Sequence, residues 1–186
     1  MQLSTAILVA LALMVPVAEA QVIEFKGTPL GAPYERFKAD HPDFKCVTYG
    51  TDGGSCTSSS NAFVAGLQAK PSTFAGETVS FVVATFHGGV FASMYITISP
   101  DSYGAIRGAL AEKYGRPRTA TETVINGFGV SAENESSFWD RPDGLISLER
   151  YSGTLDEGSV HFRSTAEGQR QADESKKRAA DRKSDL

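Results

Sequence analysis

The sequence has few of the residues from which catalytic and metal sites are most often built. Its 186 residues include three histidines, two cysteines and one tryptophan. It contains no Gly-x-Ser-x-Gly elbow, no His-Glu-x-x-His pair and no phosphate-binding glycine loop, so the usual marks of serine hydrolases, zinc proteases and nucleotide-binding folds are missing. We therefore expect a binding protein rather than an enzyme, with no cofactor and no metal site.

An excess of basic residues is also missing. The 18 Lys and Arg residues stand against 22 Asp and Glu residues, which gives a formal net charge of −4 at pH 7. Because nucleic-acid-binding domains usually carry a basic stripe, we predict that this protein does not bind nucleic acid.

Only one apolar run approaches the length of a membrane span, and it lies at the start of the chain. The run covers residues 5–17 and is shorter than the roughly 20 residues that a spanning helix needs. Ala18-Glu19-Ala20 has the small-x-small pattern of a signal-peptidase site. We predict a cleaved signal peptide over residues 1–20, a periplasmic or secreted mature chain and no stable membrane insertion; an uncleaved anchor is the alternative.

Two cysteines in an exported chain favour a disulfide between Cys46 and Cys56. The residues between them are rich in glycine and polar side chains, which favours a tight turn that brings the two sulfurs together. The alternatives are a metal-binding pair and a catalytic thiol. No histidine lies at zinc-motif spacing from either cysteine, which disfavours the metal.

The clearest pattern in the chain covers residues 76–117, where two alternating strands precede a helix. If Gly88-Gly89 is a two-residue turn, Phe86 lies opposite Phe91 and the register of the whole hairpin follows. One face then carries Val79, Phe81, Val83, Ala92, Met94, Ile96 and Ile98. This face is predicted to join the core, and the opposite face carries the aromatic residues Phe86, Phe91 and Tyr95.

The helix that follows has recognisable start and stop signals. Ser99 is a predicted N-cap, Pro100 suits the first helical position and Gly115 is a natural stop. An apolar stripe at helical spacing is formed by Tyr103, Ile106, Leu110 and Tyr114.

Shorter patterns surround this central stretch. They predict strands at Val22–Phe25, Asp43–Tyr49 and Thr119–Ile125, a short helix from Pro33 to His41-Pro42, a polar loop at 57–61, and a second hairpin of Leu145–Tyr151 and Ser159–Arg163. In that hairpin the predicted core residues are Ile146, Leu148, Val160 and Phe162. Residues 62–73 have no clear assignment, and residues 165–186 form a charged tail, either helical or disordered.

The order of these elements occurs twice, as a helix followed by several antiparallel strands. We predict an α+β fold in which two tandem repeats, residues 21–98 and 99–164, form one antiparallel sheet with helices on one face. Short motifs carry a resemblance in the same region: Phe25-Lys26-Gly27, Leu30-Gly31, Cys46, Cys56 and Ala84-Thr85-Phe86.

In that order the motifs resemble the repeat of the β-lactamase-inhibitor protein family, which is related in fold to the small lipoprotein subunit of the outer-membrane β-barrel assembly machine. Proteins of both kinds act in the envelope or outside the cell by binding proteins. The resemblance covers most of residues 22–164, although this chain has no cysteine pair in its second half and no lipidation cysteine. It implies a protein partner and assigns no site residue.

The sheet face turned away from the helices is the predicted binding site. If the sheet is continuous, aromatic and basic side chains of the types that anchor protein interfaces meet there, namely Phe86, Phe91, Tyr95, Tyr151, His161 and Arg163. Residues 62–73 or the tail could instead cover this face. Two other hypotheses remain: a small secreted hydrolase that uses Glu149 and His161 as cross-strand neighbours, and a structural envelope protein that docks by its charged tail.

Overall fold

The computed structural model describes residues 21–50, 52–59, 72–125 and 127–184. The predicted signal peptide lies outside the described residues, and so does most of the unassigned segment 62–73. Within the described parts of the chain, no helix has both the length and the apolar character that a membrane crossing requires.

The described residues form an α+β fold dominated by antiparallel strands. The strands are β1 (Glu24–Phe25), β2 (Thr28–Pro29), β3 (Lys45–Tyr49), β4 (Gly53–Ser59), β5 (Thr73–Phe74), β6 (Glu77–Thr78), β7 (Phe81–His87), β8 (Val90–Ile98), β9 (Arg118–Ile125), β10 (Ser131–Arg141), β11 (Gly144–Glu149) and β12 (Gly158–Ser164). The α-helices are α1 (Tyr34–Asp40), α2 (Tyr103–Tyr114) and α3 (Thr165–Ser184), and a short 3-10 helix, Pro100–Ser102, precedes α2.

Eight of these strands form one antiparallel sheet in the order β3-β4-β7-β8-β12-β11-β10-β9. The last strand of each half of the chain, β8 and β12, pair at the centre, with Ile96 opposite Val160 and Met94 opposite Phe162. The strands β3 and β9, which are the first strands that each half adds to this sheet, lie at its outer edges. All other pairs join strands of the same half, and all of them except β4–β7, between which β5 and β6 lie, are consecutive in the chain.

The core lies between this sheet and the helices α1 and α2. Phe37 of α1 packs its ring 5.3 Å from Phe86 and 4.9 Å from Phe91. From α2, Ile106 and Leu110 join the same cluster of buried side chains. Burial of these large apolar groups, at about 25 cal/mol per Å², is the main force that holds the two helices on the sheet.

The charged tail predicted for residues 165–186 forms α3, which contacts the side of the sheet opposite to α1 and α2. Arg163 of β12 donates from Nη1 to Oε1 of Gln171 on α3, at 3.0 Å. Arg163 alternates along β12 with the buried core residue Phe162, so it points to the opposite side of the sheet. We call the side that packs on α1 and α2 the inner face and the side that α3 contacts the outer face.

The predicted start signals begin the 3-10 helix that leads into α2, and the predicted stop signal of α2 is confirmed. The hydroxyl of Ser99 accepts a hydrogen bond from the backbone N–H of Asp101, and Pro100 occupies the first turn. Gly115 ends the helix with a φ of +88°, a conformation that glycine adopts without strain. The stripe predicted from spacing is buried at all four positions: Tyr103, Ile106, Leu110 and Tyr114.

The predicted register of the first hairpin is right at the turn and wrong beyond it. His87 lies opposite Val90 and Phe86 opposite Phe91, but Thr85 lies opposite Ser93, so Ala92 is an extra residue that forms a bulge. Past the bulge, the β7 residues lie on the face opposite to the one predicted for them. The inner face of β7 therefore carries Val82, Ala84 and Phe86, whereas Phe81 is 37% exposed.

The predicted disulfide is present. Cys46 and Cys56 lie directly opposite each other on β3 and β4 with their Cα atoms 4.0 Å apart.

The expected polar loop at 57–61 is wrong at its start, because Thr57 to Ser59 continue β4. These polar residues form a strand because β4 has a hydrogen-bonded neighbour on each side, β3 and β7.

Candidate functional site

The middle of the outer face combines short hydroxyl side chains with one pair of rings. Tyr95 of β8 and His161 of β12 lie opposite each other, with ring centroids 6.0 Å apart in an edge-to-face arrangement. Around them the outward positions of β7, β8, β11 and β12 carry small hydroxyl residues and three apolar residues: Thr85, Ser93, Thr97, Ser147 and Ser159, and Phe81, Val83 and Leu145. Both rings are half-buried, and Val83 on β7 lies directly opposite Tyr95.

One end of this face is covered by the first turns of α3. The side chain of Glu167 is only 2% exposed and accepts hydrogen bonds from Nε and Nη2 of Arg170, each at 2.7 Å. Gln171 donates a third bond at 2.7 Å, and Nε2 of His87 lies 3.7 Å from the same carboxylate. We call Glu167, Arg170, Gln171 and His87 the α3 lock: Arg170 and Gln171 hold the carboxylate of Glu167 within the helix, and His87 is its neighbour on β7.

Glu167 of the lock and His161 of the ring pair have shifted pKa values. Hydrogen bonds from Arg170, assisted by Gln171 and by the nearby His87, hold the pKa of Glu167 below its usual value against the opposing effect of burial. Burial lowers the pKa of His161, and the positive charge of Arg163 lowers it further, while Glu167 opposes both. At neutral pH the outer face therefore presents a neutral imidazole beside a fixed guanidinium.

Tyr151 is separate from this cluster and lies at the far end of the sheet. Its backbone N–H donates to Oδ1 of Asn134 at 2.9 Å, and its carbonyl accepts from Nδ2 of the same residue at 3.0 Å. Tyr151 lines a cleft of about 550 Å³ between the β9–β10 turn and the β11–β12 loop, together with Ile125, Phe128 and Leu155. Asn134 is 2% exposed, and both of its amide atoms are engaged in these bonds.

Two of the six predicted binding residues do not belong to the outer face. Phe86 is 1% exposed and Phe91 is 0% exposed, and both pack against α1 in the core. The bulge at Ala92 is the reason, since it reverses the alternation of side chains between the turn and the rest of the hairpin. Tyr95, His161 and Arg163 are on the outer face as expected, and Tyr151 lies at the cleft.

The pair proposed for hydrolysis is not directly opposed across its hairpin. Ser147 lies opposite His161, and Ser159 lies opposite Glu149. Glu149 and His161 are therefore diagonal neighbours on the outer face, a relation that places such residues about 7–8 Å apart. The hydrolase hypothesis stays a prediction and gains no support from this register.

A second buried polar cluster lies beside the core. Oγ1 of Thr28 donates to Oδ2 of Asp40 at 2.7 Å and lies 3.1 Å from Nε2 of His41. His41 is 5% exposed, and its ring lies 5.3 Å from that of Phe25 and 4.4 Å from that of Phe37. Burial lowers the pKa of His41. These contacts fasten the β1–β2 hairpin to the end of α1, which is a structural role.

Within the described residues, no group of three or more His, Cys, Asp or Glu side chains comes together in a way that could hold a metal ion.

Searches against family models, curated proteins and solved structures found no match. The resemblance to the β-lactamase-inhibitor protein family therefore stays a prediction.

The α3 lock is the part of the site that the sequence analysis missed. Ser164 accepts the backbone N–H of Glu167 at 3.1 Å, which caps the helix. Ser164 and Glu167 have the Ser-x-x-Glu spacing of a capping box, so the start of α3 carried a sequence signal. The three-residue spacing of Glu167 and Arg170 is a local signal for an ion pair on a helix, but no local pattern indicates the contact with His87, which comes from a distant strand.

Proposed function

We propose that the protein is an exported accessory protein that binds a protein partner through the outer face of its sheet, around Tyr95, His161 and Arg163. The observation that carries this proposal is the composition of that face: a tyrosine–histidine pair and an arginine lie among serine, threonine and apolar side chains, with Val83 opposite Tyr95 and Leu145 opposite Arg163. Tyrosine and arginine supply much of the binding energy in protein interfaces, and hydroxyl groups can exchange water for partner hydrogen bonds.

Export is supported by the disulfide between Cys46 and Cys56, because structural disulfides persist mainly in oxidising compartments.

The proposal of two tandem repeats, residues 21–98 and 99–164, is supported by the strand order, in which β3-β4-β7-β8 mirrors β9-β10-β11-β12 about the central β8–β12 pair. Such an arrangement joins two open sheets into one broad face, and a broad face suits a macromolecular partner.

Site-specific photocrosslinking in envelope extract tests the binding face. A photoreactive phenylalanine analogue is placed at Tyr95 or at Phe81 on the outer face, and at Glu112 on α2 as the control. We expect one discrete crosslinked product from the first two positions, its loss in a His161→Ala background and no such product from Glu112. Equal products from all three positions, or a product unaffected by His161→Ala, would refute the assignment of this face.

A second candidate is docking through the charged tail, which one observation favours. Side chains from Ala172 to Arg182 are exposed all around α3, beyond the lock. Residues 175–184 carry five basic side chains against one acidic side chain, Asp181. A stop codon after Glu174 keeps the lock and removes this segment. Loss of the crosslinked product in that variant would favour the tail, and an unchanged product would favour the sheet.

A further inference from the structure

The edge strand β9 is long, exposed and without the usual protection against pairing. In the described part of the chain, β9 pairs only with β10, and seven of its eight residues are exposed. Its register with β10 runs without interruption from Arg118 opposite Phe138 to Ile125 opposite Ser131. Natural edge strands are commonly protected by proline, by charged side chains, above all lysine, or by a bulge. The residues from Arg118 to Ile125 include no proline, lysine or bulge, and their two charges, Arg118 and Glu122, are of opposite sign.

We propose that β9 pairs with β9 of a second copy of this chain. The argument is charge complementarity in a single register. If a two-fold axis perpendicular to the sheet passes at Ala120, each Arg118 lies opposite Glu122 of the second copy, and each Thr119 lies opposite Thr121. The pairing is antiparallel and isologous, as a closed two-fold dimer requires. Opposite charges and paired threonines are both favourable across strands.

The side chains of Arg118 and Glu122, which form the proposed ion pairs, lie on the same face of β9. The guanidinium of Arg118 lies 4.6 Å above the ring of Phe138, and its Nε is 3.6 Å from Asp140, while 62% of the side chain stays exposed. Glu122 accepts a long hydrogen bond of 3.5 Å from Asn134 on the same outer side of β10. Arg118 and Glu122 therefore project to one side of β9 and are available to a strand added at its edge.

The neighbouring registers of the β9–β9 pair do not place Arg118 opposite Glu122. An axis at Thr121 places Arg118 opposite Val124 and Ala120 opposite Glu122. An axis at Glu122 places the two carboxylates against each other, which is unfavourable. The register centred on Ala120 is the one that forms two direct ion pairs, so it is the one to which the proposal commits.

Charge exchange tests the pairing by sedimentation velocity over a range of protein concentrations. We expect wild-type protein to dimerise reversibly, and Arg118→Glu or Glu122→Arg alone to weaken dimerisation at least about tenfold, since each variant creates two like-charge pairs. An equimolar mixture of the two variants should dimerise again, because it restores two opposite-charge pairs. The double variant should do the same. Circular dichroism of each variant checks the fold.

Cysteine crosslinking tests the register. In the proposed dimer Ala120 faces itself across the axis, whereas two copies of Thr123 lie about 20 Å apart. Ala120→Cys should therefore give a dimer on a non-reducing gel after mild oxidation, and Thr123→Cys, an equally exposed control, should not. A monomeric wild type at all concentrations, no recovery in the mixture, or equal crosslinking of the two cysteine variants would overturn the proposal.

Discussion

Glu167→Gln should destabilise the first turns of α3 and weaken their contact with His87 on β7, without unfolding the sheet. The substitution keeps the size of a side chain that is 2% exposed, but it removes the charge that faces Arg170 and replaces one acceptor oxygen with an amide donor. A hydrogen bond to a buried charged group contributes about 1.5–3 kcal/mol. Because the Arg170 side chain is 37% exposed and can regain water, we lower the expected loss to about 1–2 kcal/mol.

A loss of this size corresponds to a roughly 5- to 30-fold larger population of opened α3. Native-state hydrogen exchange measures it directly, as faster exchange of the α3 amides at unchanged exchange in β8 and β12. Glu174→Gln is the matched control: Glu174 also pairs with Arg170, but 49% of its side chain is exposed, so its effect should stay below about 0.5 kcal/mol. Equal effects of the two variants, or faster exchange in the whole sheet, would refute the lock.

Three further predictions concern stability. Trp139 donates its indole N–H to the carbonyl of Gly115 at 2.7 Å, so Trp139→Phe should cost about 1–2 kcal/mol in urea denaturation, with α2 amides exchanging faster. Reduction of the disulfide between Cys46 and Cys56, which are ten positions apart, should lower the free energy of unfolding by about 2–3 kcal/mol in the same assay. Burial lowers the pKa of His41, so below about pH 6.5 the unfolded chain binds a proton that the folded chain resists. Stability should therefore fall as the pH drops through that window, and His41→Gln should flatten the dependence measured by urea denaturation at several pH values.

Local signals predicted the elements well where the chain itself decides the conformation. The cap at Ser99, the stop at Gly115 and the apolar stripe of α2 all depend on neighbours within one turn or two, and each is present. The second hairpin was predicted equally well, because its period-two alternation holds along both strands. Its four predicted core residues are buried: Ile146, Leu148, Val160 and Phe162.

The first hairpin contains a bulge that its local sequence does not predict. The residues Phe91-Ala92-Ser93 fit an unbroken strand, and nothing local indicates that Ala92 would be inserted as a bulge. The bulge lets both Phe86 and Phe91 reach Phe37 of α1, so its benefit comes from a tertiary contact. A register derived from the turn alone therefore misplaced the most apolar members of the predicted binding site.

The contrast between α2 and α3 explains why the outer face was harder to predict than the core. Four large side chains of α2 are buried, whereas the first turns of α3 bury the carboxylate of Glu167. Apolar burial leaves a periodic trace in the sequence, and a polar contact between Glu167 and His87 leaves none.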